Sequence, residues 1–342
     1  MEDRQLRNAL KANQVVKGPW GVSYAAEVEG SRVFVKRVPM TEREAARPWS
    51  TRNHFRLPAQ YNYGFGSAGF GAHRELIGHI TTTTCVLEGS TPGFPLLLHH
   101  RLMERTPTGR PELAGIERYV RRWNSRAVGE FMTARAAAPL ELWLVMEHIP
   151  HPMSDWLMGN QDRVENVIDQ LFAAISVLGT EGIVHFDVHF ANVLTDGETV
   201  HLADFGLLND SRFELTKSEL KFLQRHRHYD YASAILAIGL APRWRVWAEP
   251  AASRTALVSG YPWLQGLERS RDFAAAMIDH ASQMTTGPLA VTPVYAETLR
   301  RYREVILYMS GFHDDMWENP RKRSPYDDDH VQRILREAGA PT

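Results

Sequence analysis

Three polar residues in the stretch Gly182–Leu208, GIVHFDVHFANVLTDGETVHLADFGLL, have the types and spacing of a magnesium site. Asp187 and Asn192 stand five residues apart before a short apolar run, and Asp204 ends the second such run. Mg²⁺ prefers a few protein oxygens together with the phosphates of its substrate, and two carboxylates and an amide supply such oxygens. No cluster of His and Cys competes for this role. The stretch therefore predicts magnesium-dependent chemistry on a phosphate compound.

A short hairpin and a long helix are expected to position these residues. The runs NVLT and VHLADF flank the turn Asp196-Gly197, which predicts a β-hairpin with the two carboxylates and the amide at one end. Before the hairpin, apolar residues recur at spacings of three and four, which places them on one helical face. They are Val164, Ile168, Leu171, Phe172, Ile175 and Leu178.

The pattern H-x-D-x(4)-N followed by D-F-G resembles the catalytic loop and metal-binding motif of the protein-kinase-like superfamily, in both spacing and order. This superfamily includes eukaryotic-type protein kinases and kinases similar to aminoglycoside phosphotransferases. The resemblance implies that Asp187 accepts the proton of the attacking hydroxyl or orients it. It also implies that Asn192 and Asp204 hold Mg²⁺ against the phosphates of ATP, and that His185 is a packing and hydrogen-bonding residue of the loop.

A second hairpin is predicted near the start of the chain. In YAAEVEGSRVFVKRV, two runs rich in β-branched and aromatic residues flank Glu29-Gly30-Ser31. Lys36 lies in the second run and resembles the strand lysine that grips the α- and β-phosphates in this superfamily. Its partner glutamate is expected on the next helix, where Glu75 in HREL is preferred to Glu42 and Glu44.

Two further segments resemble parts of the same superfamily. Gly18-Pro-Trp-Gly21 matches the second and third glycines of the phosphate-covering loop G-x-G-x-x-G, and Val16 occupies the position of the first. Asp230 in RHYDYASAILAIG resembles the buried aspartate that supports the catalytic loop. The resemblance covers roughly residues 14 to 240.

The segment LELWLVMEHIP resembles the fifth strand and the hinge of kinases. The resemblance implies that Met146 lines the back of the adenine pocket and that Glu147 and His148 supply backbone contacts to the base. Asp155, at the start of the next helix, is expected to reach the ribose.

Several features of the sequence point to different classes of acceptor. His189, two residues after Asp187, occupies a position where most serine/threonine kinases carry Lys and many small-molecule kinases carry His, and no A-P-E motif lies between Asp204 and Asp230. The intact D-F-G and the recognisable glycine loop favour the protein kinases. We therefore expect a kinase with a slight preference for Ser or Thr in a protein or peptide. The alternatives are a small-molecule kinase and a pseudokinase scaffold that binds nucleotide without turnover.

Composition limits the remaining possibilities. Of 342 residues, 44% are hydrophobic and 23% charged, which is typical of a globular protein and excludes disorder and coiled coil. Lys plus Arg is 39 and Asp plus Glu is 40, so no global field attracts nucleic acid or an anionic membrane. The expected cofactors are ATP and Mg²⁺, and the expected partner is a hydroxyl-bearing protein, peptide or small molecule. Cys85, the single cysteine, and the charged start MEDRQLRNALK predict a cytoplasmic protein.

These patterns together predict an α+β protein with the bilobal protein-kinase-like fold. Residues 1–149 are expected to form a nucleotide-binding lobe with a small antiparallel sheet and an insertion around 104–139. Residues 150–342 are expected to form a mainly helical lobe for catalysis and substrate binding. An amphipathic helix is expected from Tyr295 to Met309, and a capping box opens another at Thr216.

Some suggestive clusters are expected to have no function. Gly64–Gly69 fits G-x-G-x-x-G but lacks a preceding apolar strand, so no dinucleotide site is expected there. His313–Asp315 is predicted to be a surface turn, and His226 and His228 to lie on a solvated helix face. Arg321–Arg323 is offset by adjacent aspartates, so no nucleic-acid patch is expected.

Overall fold

The first part of the chain builds a five-stranded antiparallel sheet in the order β1-β2-β3-β5-β4. The computed structural model describes residues 3–10, 16–18, 21–105, 116–319 and 324–341. The strands are β1 (Val16–Gly18), β2 (Gly21–Val28), β3 (Ser31–Met40), β4 (Leu97–Glu104) and β5 (Leu140–Glu147). Glu29 and Gly30 form the β2–β3 turn with φ of 51° and 80°, and positive φ at both positions is what a type I′ hairpin requires. The hairpin prediction is confirmed, with Ser31 already part of β3.

Helices cover both faces of this sheet. The helices of this part are α1 (Asp3–Ala9), α2 (Glu42–Ala45), α3 (Ala72–Leu87), α4 (Ile116–Trp123) and α5 (Arg126–Ala136). On one face, Leu6 of α1 packs in an apolar cluster that includes Val35. On the other face, Leu76 of α3 packs with Val38. Because side chains alternate along a strand, Lys36 has the same parity as Val38 and points towards α3.

The second part is helical with three short strand pairings. Its helices are α6 (Met153–Gly159), α7 (Val164–Thr180), α8 (Lys217–Gln224), α9 (Tyr229–Gly239), α10 (Ala241–Ala248), α11 (Ala251–Val258), α12 (Ser270–His280), α13 (Pro293–Arg301), α14 (Arg303–Glu318) and α15 (Asp328–Glu337). Its strands are β6 (His151–Pro152), β7 (Ile183–Val184), β8 (Val193–Thr195), β9 (Val200–Leu202) and β10 (Asn209–Asp210). β8 pairs with β9 and β6, and β10 pairs with β7. The predicted hairpin around Asp196-Gly197 is confirmed.

A large apolar cluster forms the core of the helical part. All six residues predicted to share one face of α7 are buried in it. Phe55, Tyr61 and Phe131, from the segments before β4 and β5, belong to the same cluster, so this core reaches back into the first half of the chain. Part of the predicted insertion, residues 106–115, lies outside the described residues.

The α+β class is confirmed, with about 52% of residues in helices and 15% in strands. In the described ranges, no helix has both the length and the apolar run that crossing a bilayer requires. The helix expected from Tyr295 to Met309 is two helices, because α13 ends and α14 begins around Tyr302.

Two predictions about surface histidines are wrong. His226 is 4% exposed, because its ring stacks between Phe222 and Tyr326. His228 is half-buried and its Nδ1 lies 2.8 Å from Asp328 Oδ2. In both cases a covering residue comes from about a hundred positions further along the chain.

The predicted surface turn at His313–Asp315 is also wrong. These residues lie inside α14, and Asp314 is buried. Its carboxylate accepts hydrogen bonds from the backbone N–H groups of Ser270 and Arg271, at 3.0 and 2.9 Å. Asp314 therefore satisfies donors at the start of α12 that have no partner within that helix. Arg321–Arg323 lies outside the described residues.

Candidate active site

The loop between β7 and β8 holds Asp187 through the side chains of its neighbours. Asn192 Nδ2 donates to Asp187 Oδ2 at 2.9 Å and to the Asp187 carbonyl oxygen at 3.0 Å. His189 Nε2 lies 3.4 Å from Asp187 Oδ1. Burial alone would lower the pKa of His189, but the Asp187 carboxylate outweighs burial and raises that pKa. The Asp187 carboxylate is thus fixed on both of its oxygens.

Asp230, at the start of α9, supports this loop through hydrogen bonds to its backbone, as the resemblance implies. It is 2% exposed, and its carboxylate accepts from the backbone N–H of His185 at 2.6 Å and of Phe186 at 2.9 Å. Phe186 has φ of 65°, a left-handed conformation that is strained for an aromatic residue. The two hydrogen bonds hold this conformation, which directs Asp187 out of the core. Burial raises the pKa of Asp230 to about 7 despite the two N–H donors.

His185 is a fully buried hydrogen-bonding residue of the loop, as expected. Its Nδ1 accepts from the Asp187 backbone N–H at 3.2 Å, and its Nε2 lies 3.1 Å from the Ala203 carbonyl oxygen. Burial lowers the pKa of His185 to about 4, so the ring is neutral with its proton on Nε2. The ring therefore ties the loop to the residue before Asp204.

Lys36 brings together two carboxylates from distant parts of the chain. Its Nζ lies 2.7 Å from Glu75 Oε1 on α3 and 2.7 Å from Asp204 Oδ1 after β9. Burial alone would lower the pKa of Lys36, but Asp204 and Glu75 outweigh burial and raise it. Burial likewise opposes ionisation of Asp204, but Lys36 and the Gly206 N–H hold the pKa of Asp204 well below its usual range. The pairing of Lys36 with Glu75 is as predicted.

The glycine of D-F-G makes room for this arrangement. A Cβ on Gly206 would lie 3.2 Å from Asp204 Oδ1 and 3.3 Å from Glu75 Oε2, closer than most Cβ contacts. The preceding Phe205 is buried, and its Cβ would lie 2.8 Å from a Cβ on Gly78 of α3. Glycine at these two positions lets α3 approach Asp204 closely enough for Glu75 to reach Lys36.

Lys36, Asn192 and Asp204 line a first cavity of about 990 Å³ between the sheet and the β8–β9 hairpin. Met146, Glu147 and His148 also line this cavity, as expected for a hinge. The Glu147 N–H donates to the Leu96 carbonyl oxygen at 2.9 Å and is not available to a ligand. Of the described groups, none accepts a hydrogen bond from the Ile149 N–H, so this donor, unlike the Glu147 N–H, is available to a ligand in the cavity.

Of the predicted cofactor residues, Gly21, Glu75 and Asp155 do not line the first cavity. Gly18 pairs with Gly21 at the end of β1 and β2, and residues 19 and 20 between them lie outside the described part. A Cβ on Gly21 would meet the Arg37 carbonyl oxygen at 2.6 Å, so sheet packing already requires glycine there. Asp155 lines a different cavity, and its predicted contact with ribose is not supported, because its place on α6 turns it to the other side of the catalytic loop.

The free oxygens of Asn192 and Asp204 in the first cavity fit a magnesium ion. No described group donates to Asn192 Oδ1 or to Asp204 Oδ2, and both residues line the first cavity. No group of three or more His, Cys, Asp or Glu side chains in the described ranges is placed to hold a metal. Two protein oxygens suit Mg²⁺, which keeps waters and substrate phosphates as its other ligands.

A second cavity, of about 840 Å³, opens on the other side of the loop between β7 and β8. Asp187 and His189 form part of its wall, and Asp155 lies on its rim. Residues 63–65 and α14 also line this cavity. Asp187 lines the second cavity, and Asn192, which donates to Asp187 at 2.9 Å, lines the first, so the two cavities adjoin at this pair.

Two site features were missed by sequence reasoning. His79 lines the first cavity, is 1% exposed, and both ring nitrogens are buried with no hydrogen-bond partner among the described residues. Burial, followed by the charge of Lys36, lowers the pKa of His79 to about 3. Its spacing of four from Glu75 on α3 was the available signal, since such residues share a helix face. Gly64, dismissed with its glycine-rich segment, lies against Asp187: a Cβ there would be 2.7 Å from Asp187 Oδ1.

Comparison of the chain with protein-family models and with curated proteins gives no match.

Proposed function

We propose that this chain is an ATP- and Mg²⁺-dependent phosphotransferase that transfers the γ-phosphoryl group of ATP to a hydroxyl group. In this proposal the sheet-rich part and the helical part are the two lobes of a protein-kinase-like fold. The first cavity between them would take ATP, with the base near residues 146–149 and the phosphates near Lys36.

One observation carries the proposal. Lys36 Nζ lies 2.7 Å from carboxylates of both Glu75 and Asp204, although 168 positions separate Lys36 from Asp204. A structural salt bridge needs only one partner, and a half-buried cation flanked by two carboxylates next to an open cavity is suited to binding phosphates and a metal. The same cavity is lined by Asn192, which is hydrogen-bonded to Asp187.

Each residue of the site would have its own role in phosphoryl transfer. Lys36 would grip the phosphates, and Asn192 and Asp204 would hold Mg²⁺, which neutralises charge on the phosphates when bound. Asp187, fixed by Asn192 and His189, would orient the acceptor hydroxyl and accept its proton. Positioned charges of this kind supply most of the catalysis in this class of reaction, because little covalent chemistry is left for the protein.

The environment of Asp187 favours a catalytic function over that of a nucleotide-binding scaffold. A scaffold needs only the residues that bind the phosphates and the metal. Here two neighbouring side chains also hold the Asp187 carboxylate at the wall of a second cavity. That cavity also favours the small-molecule alternative over the protein acceptor that the glycine loop and the D-F-G motif suggested.

Conversion of ATP to ADP by the wild type and by Asp187→Asn tests the proposal. We expect the variant to lose about 100-fold or more in turnover, since a positioned base contributes 10²- to 10⁴-fold. ATP affinity, measured by calorimetry, should stay within about twofold, because the substitution spares the phosphate-binding groups. Asp196→Asn, in the exposed turn of the same region, is the matched control and should behave as the wild type. Absence of ADP production above background in both proteins would point to the scaffold, and equal production above background would point to a different base.

A further inference from the structure

The glycine-rich segment 64–71, GFGSAGFG, lies between α2 and α3 in the sequence but packs in the helical part of the protein. Phe65 and Phe70 each stand between two glycines of this segment. Both rings are buried, and both belong to the core of the helical part. Large buried side chains thus anchor the segment, whereas its glycines leave the backbone free to approach other groups closely.

Buried hydrogen bonds and ring contacts fix the segment along its length. The hydroxyl of the fully buried Tyr61 accepts a hydrogen bond from the Ala68 N–H at 3.1 Å. The rings of Tyr61 and Phe70 meet edge to face, with centroids 5.8 Å apart. Directly after the segment, the Ala72 N–H donates to Glu44 Oε1 at 2.7 Å. Because close-packed interiors transmit displacement, the segment cannot shift without disturbing these contacts.

Gly64 brings the backbone of this segment against the Asp187 carboxylate. Its φ is 75°, in the left-handed region that favours glycine. A Cβ at this position would lie 2.7 Å from Asp187 Oδ1 and 3.2 Å from Leu207 Cδ1. A distance below 3.0 Å is closer than Cβ atoms come to other heavy atoms in proteins. Position 64 therefore has no room for a side chain while Asp187 keeps its rotamer.

Gly69 makes a second close approach, to the D-F-G motif. Its φ is 76°, and a Cβ there would overlap the carbonyl oxygen of Gly206. The Gly206 N–H donates to Asp204 Oδ1 at 3.2 Å. One anchored segment thus borders both the Asp187 carboxylate and the glycine that bonds Asp204.

The contact with Gly64 differs from the other contacts of the Asp187 carboxylate. Asn192 Nδ2, 2.9 Å from Oδ2, and His189 Nε2, 3.4 Å from Oδ1, belong to the same loop as Asp187 and move with it. Gly64 belongs to a distant, separately anchored segment, so it fixes the carboxylate relative to the rest of the molecule. Such positioning matters because a misplacement of about 1 Å can cost roughly 100-fold in rate.

From these observations we infer that segment 64–71 positions the acidic residues of the site, and that Gly64 is the positioning residue that holds the Asp187 carboxylate in place. This inference rests on the proposed function, because it concerns the orientation of the proposed base. Gly64 acts through Asp187 and takes no part in the proton transfer itself. The glycines of the segment are thus required by close approach to the site, although the sequence pattern predicted no function for them.

Gly64→Ala and a matched glycine variant test this inference. Gly89 has φ of 76°, and a Cβ there would meet nothing within 4 Å, so Gly89→Ala introduces the same backbone strain without the clash. Both substitutions are made in the wild type and in Asp187→Ala, which removes the carboxylate that Gly64 contacts. The midpoint of thermal unfolding is measured for all variants. ADP production from ATP and Mg²⁺, with water as the acceptor, and ATP affinity by calorimetry are measured in the wild-type background.

We expect Gly64→Ala to lower the unfolding midpoint about 3 °C further than Gly89→Ala does. In the Asp187→Ala background this additional loss should disappear, because the two positions are coupled by direct contact. In the wild-type background Gly64→Ala should lower ADP production about tenfold or more, since the base is displaced. Its ATP affinity should stay within about twofold, because the phosphate-binding residues are unchanged. Gly89→Ala should keep both ADP production and ATP affinity.

The possible contrary results are distinguishable. Equal midpoints for Gly64→Ala and Gly89→Ala, or an equal loss with and without the Asp187 carboxylate, would overturn the inference. If Gly64→Ala does not fold, folding of the double variant with Asp187→Ala supports the contact, and failure of that variant overturns it. Unchanged ADP production by Gly64→Ala beside an active wild type overturns the positioning role and leaves the proposed kinase function intact. ADP production by the wild type no greater than background counts against the proposed function, and the positioning role falls with it.

Discussion

Arg74 and Glu219 form a buried ion pair, with 3.2 Å between Nη2 and Oε1 and side-chain exposures of 2% and 4%. Arg74 Nε also donates to the Thr51 carbonyl oxygen at 2.6 Å. The other carboxylate oxygen of Glu219 accepts from the Thr216 N–H, which caps α8. Arg74 is followed on α3 by Glu75, which pairs with Lys36. The pair of Arg74 and Glu219 therefore ties α3 to α8. The position of α3 is thus set by buried contacts.

Removal of either partner of this pair should strongly destabilise the protein. Arg74→Met or Glu219→Gln leaves an uncompensated polar or charged group in the core, which costs about 3 to 5 kcal/mol in other proteins. The free energy of unfolding from urea titration measures this effect. Arg126→Met is the control: its pair with Glu130 is exposed, so a change of at most about 0.5 kcal/mol is expected. A similar loss in both experiments would contradict the role given to the buried pair.

Local features of the fold were predictable because their causes are local. The β2–β3 turn follows from Glu29-Gly30, where glycine readily takes a positive φ. The start of α8 follows from the capping box Thr216–Glu219, whose reciprocal hydrogen bonds are formed. The buried face of α7 follows from apolar spacing alone. In each case the residues that determine the structure lie within a few positions of one another.

Contacts between distant segments were predictable only through a resemblance, or not at all. The meeting of Lys36 with Asp204 follows from no local pattern, and the kinase-like order of motifs was needed to anticipate it. No comparable motif indicated that Gly64 would lie against Asp187. His226 was misjudged because a histidine among charged residues suggests solvent, whereas its environment is decided by Tyr63 and Tyr326, far away in the sequence.

The hydrogen bond between Tyr63 and His226 should contribute measurably to stability. The Tyr63 hydroxyl lies 2.5 Å from His226 Nε2, and His226 Nδ1 bonds the Phe222 carbonyl oxygen. Tyr63→Phe would leave the buried Nε2 without a partner, at a cost of about 1 to 3 kcal/mol. Tyr302→Phe is the matched control, since no described group bonds the hydroxyl of that buried tyrosine. Thermal and urea unfolding should show a loss for Tyr63→Phe only, and equal stability of the two variants would refute the assignment.

Ionisation of Asp230 should make stability depend on pH. Its folded pKa of about 7 lies above the ordinary value of 3.8, so the folded state binds the proton more tightly than the unfolded state. The stabilisation is full below the unfolded pKa and is lost as pH rises through the folded pKa, with a slope of at most about 1.4 kcal/mol per pH unit. The stability of the wild type relative to Asp230→Asn should therefore fall from about pH 4 to about pH 7. Urea titrations across this range measure the difference, and a flat difference would show that Asp230 does not titrate there.

Asp204 should link nucleotide affinity to magnesium. Its Oδ1 is occupied by Lys36 and the Gly206 N–H, which leaves Oδ2 for a metal. In the wild type, calorimetry should show tighter ATP binding with Mg²⁺ than with EDTA, because Asp204 would help to hold a metal that neutralises charge on the phosphates. Asp204→Ala should reduce this difference about tenfold or more, whereas Asp196→Asn, in the exposed turn of the same hairpin, should keep it. If the magnesium dependence survives in Asp204→Ala, the metal is held by other groups and the assignment of Asp204 is wrong.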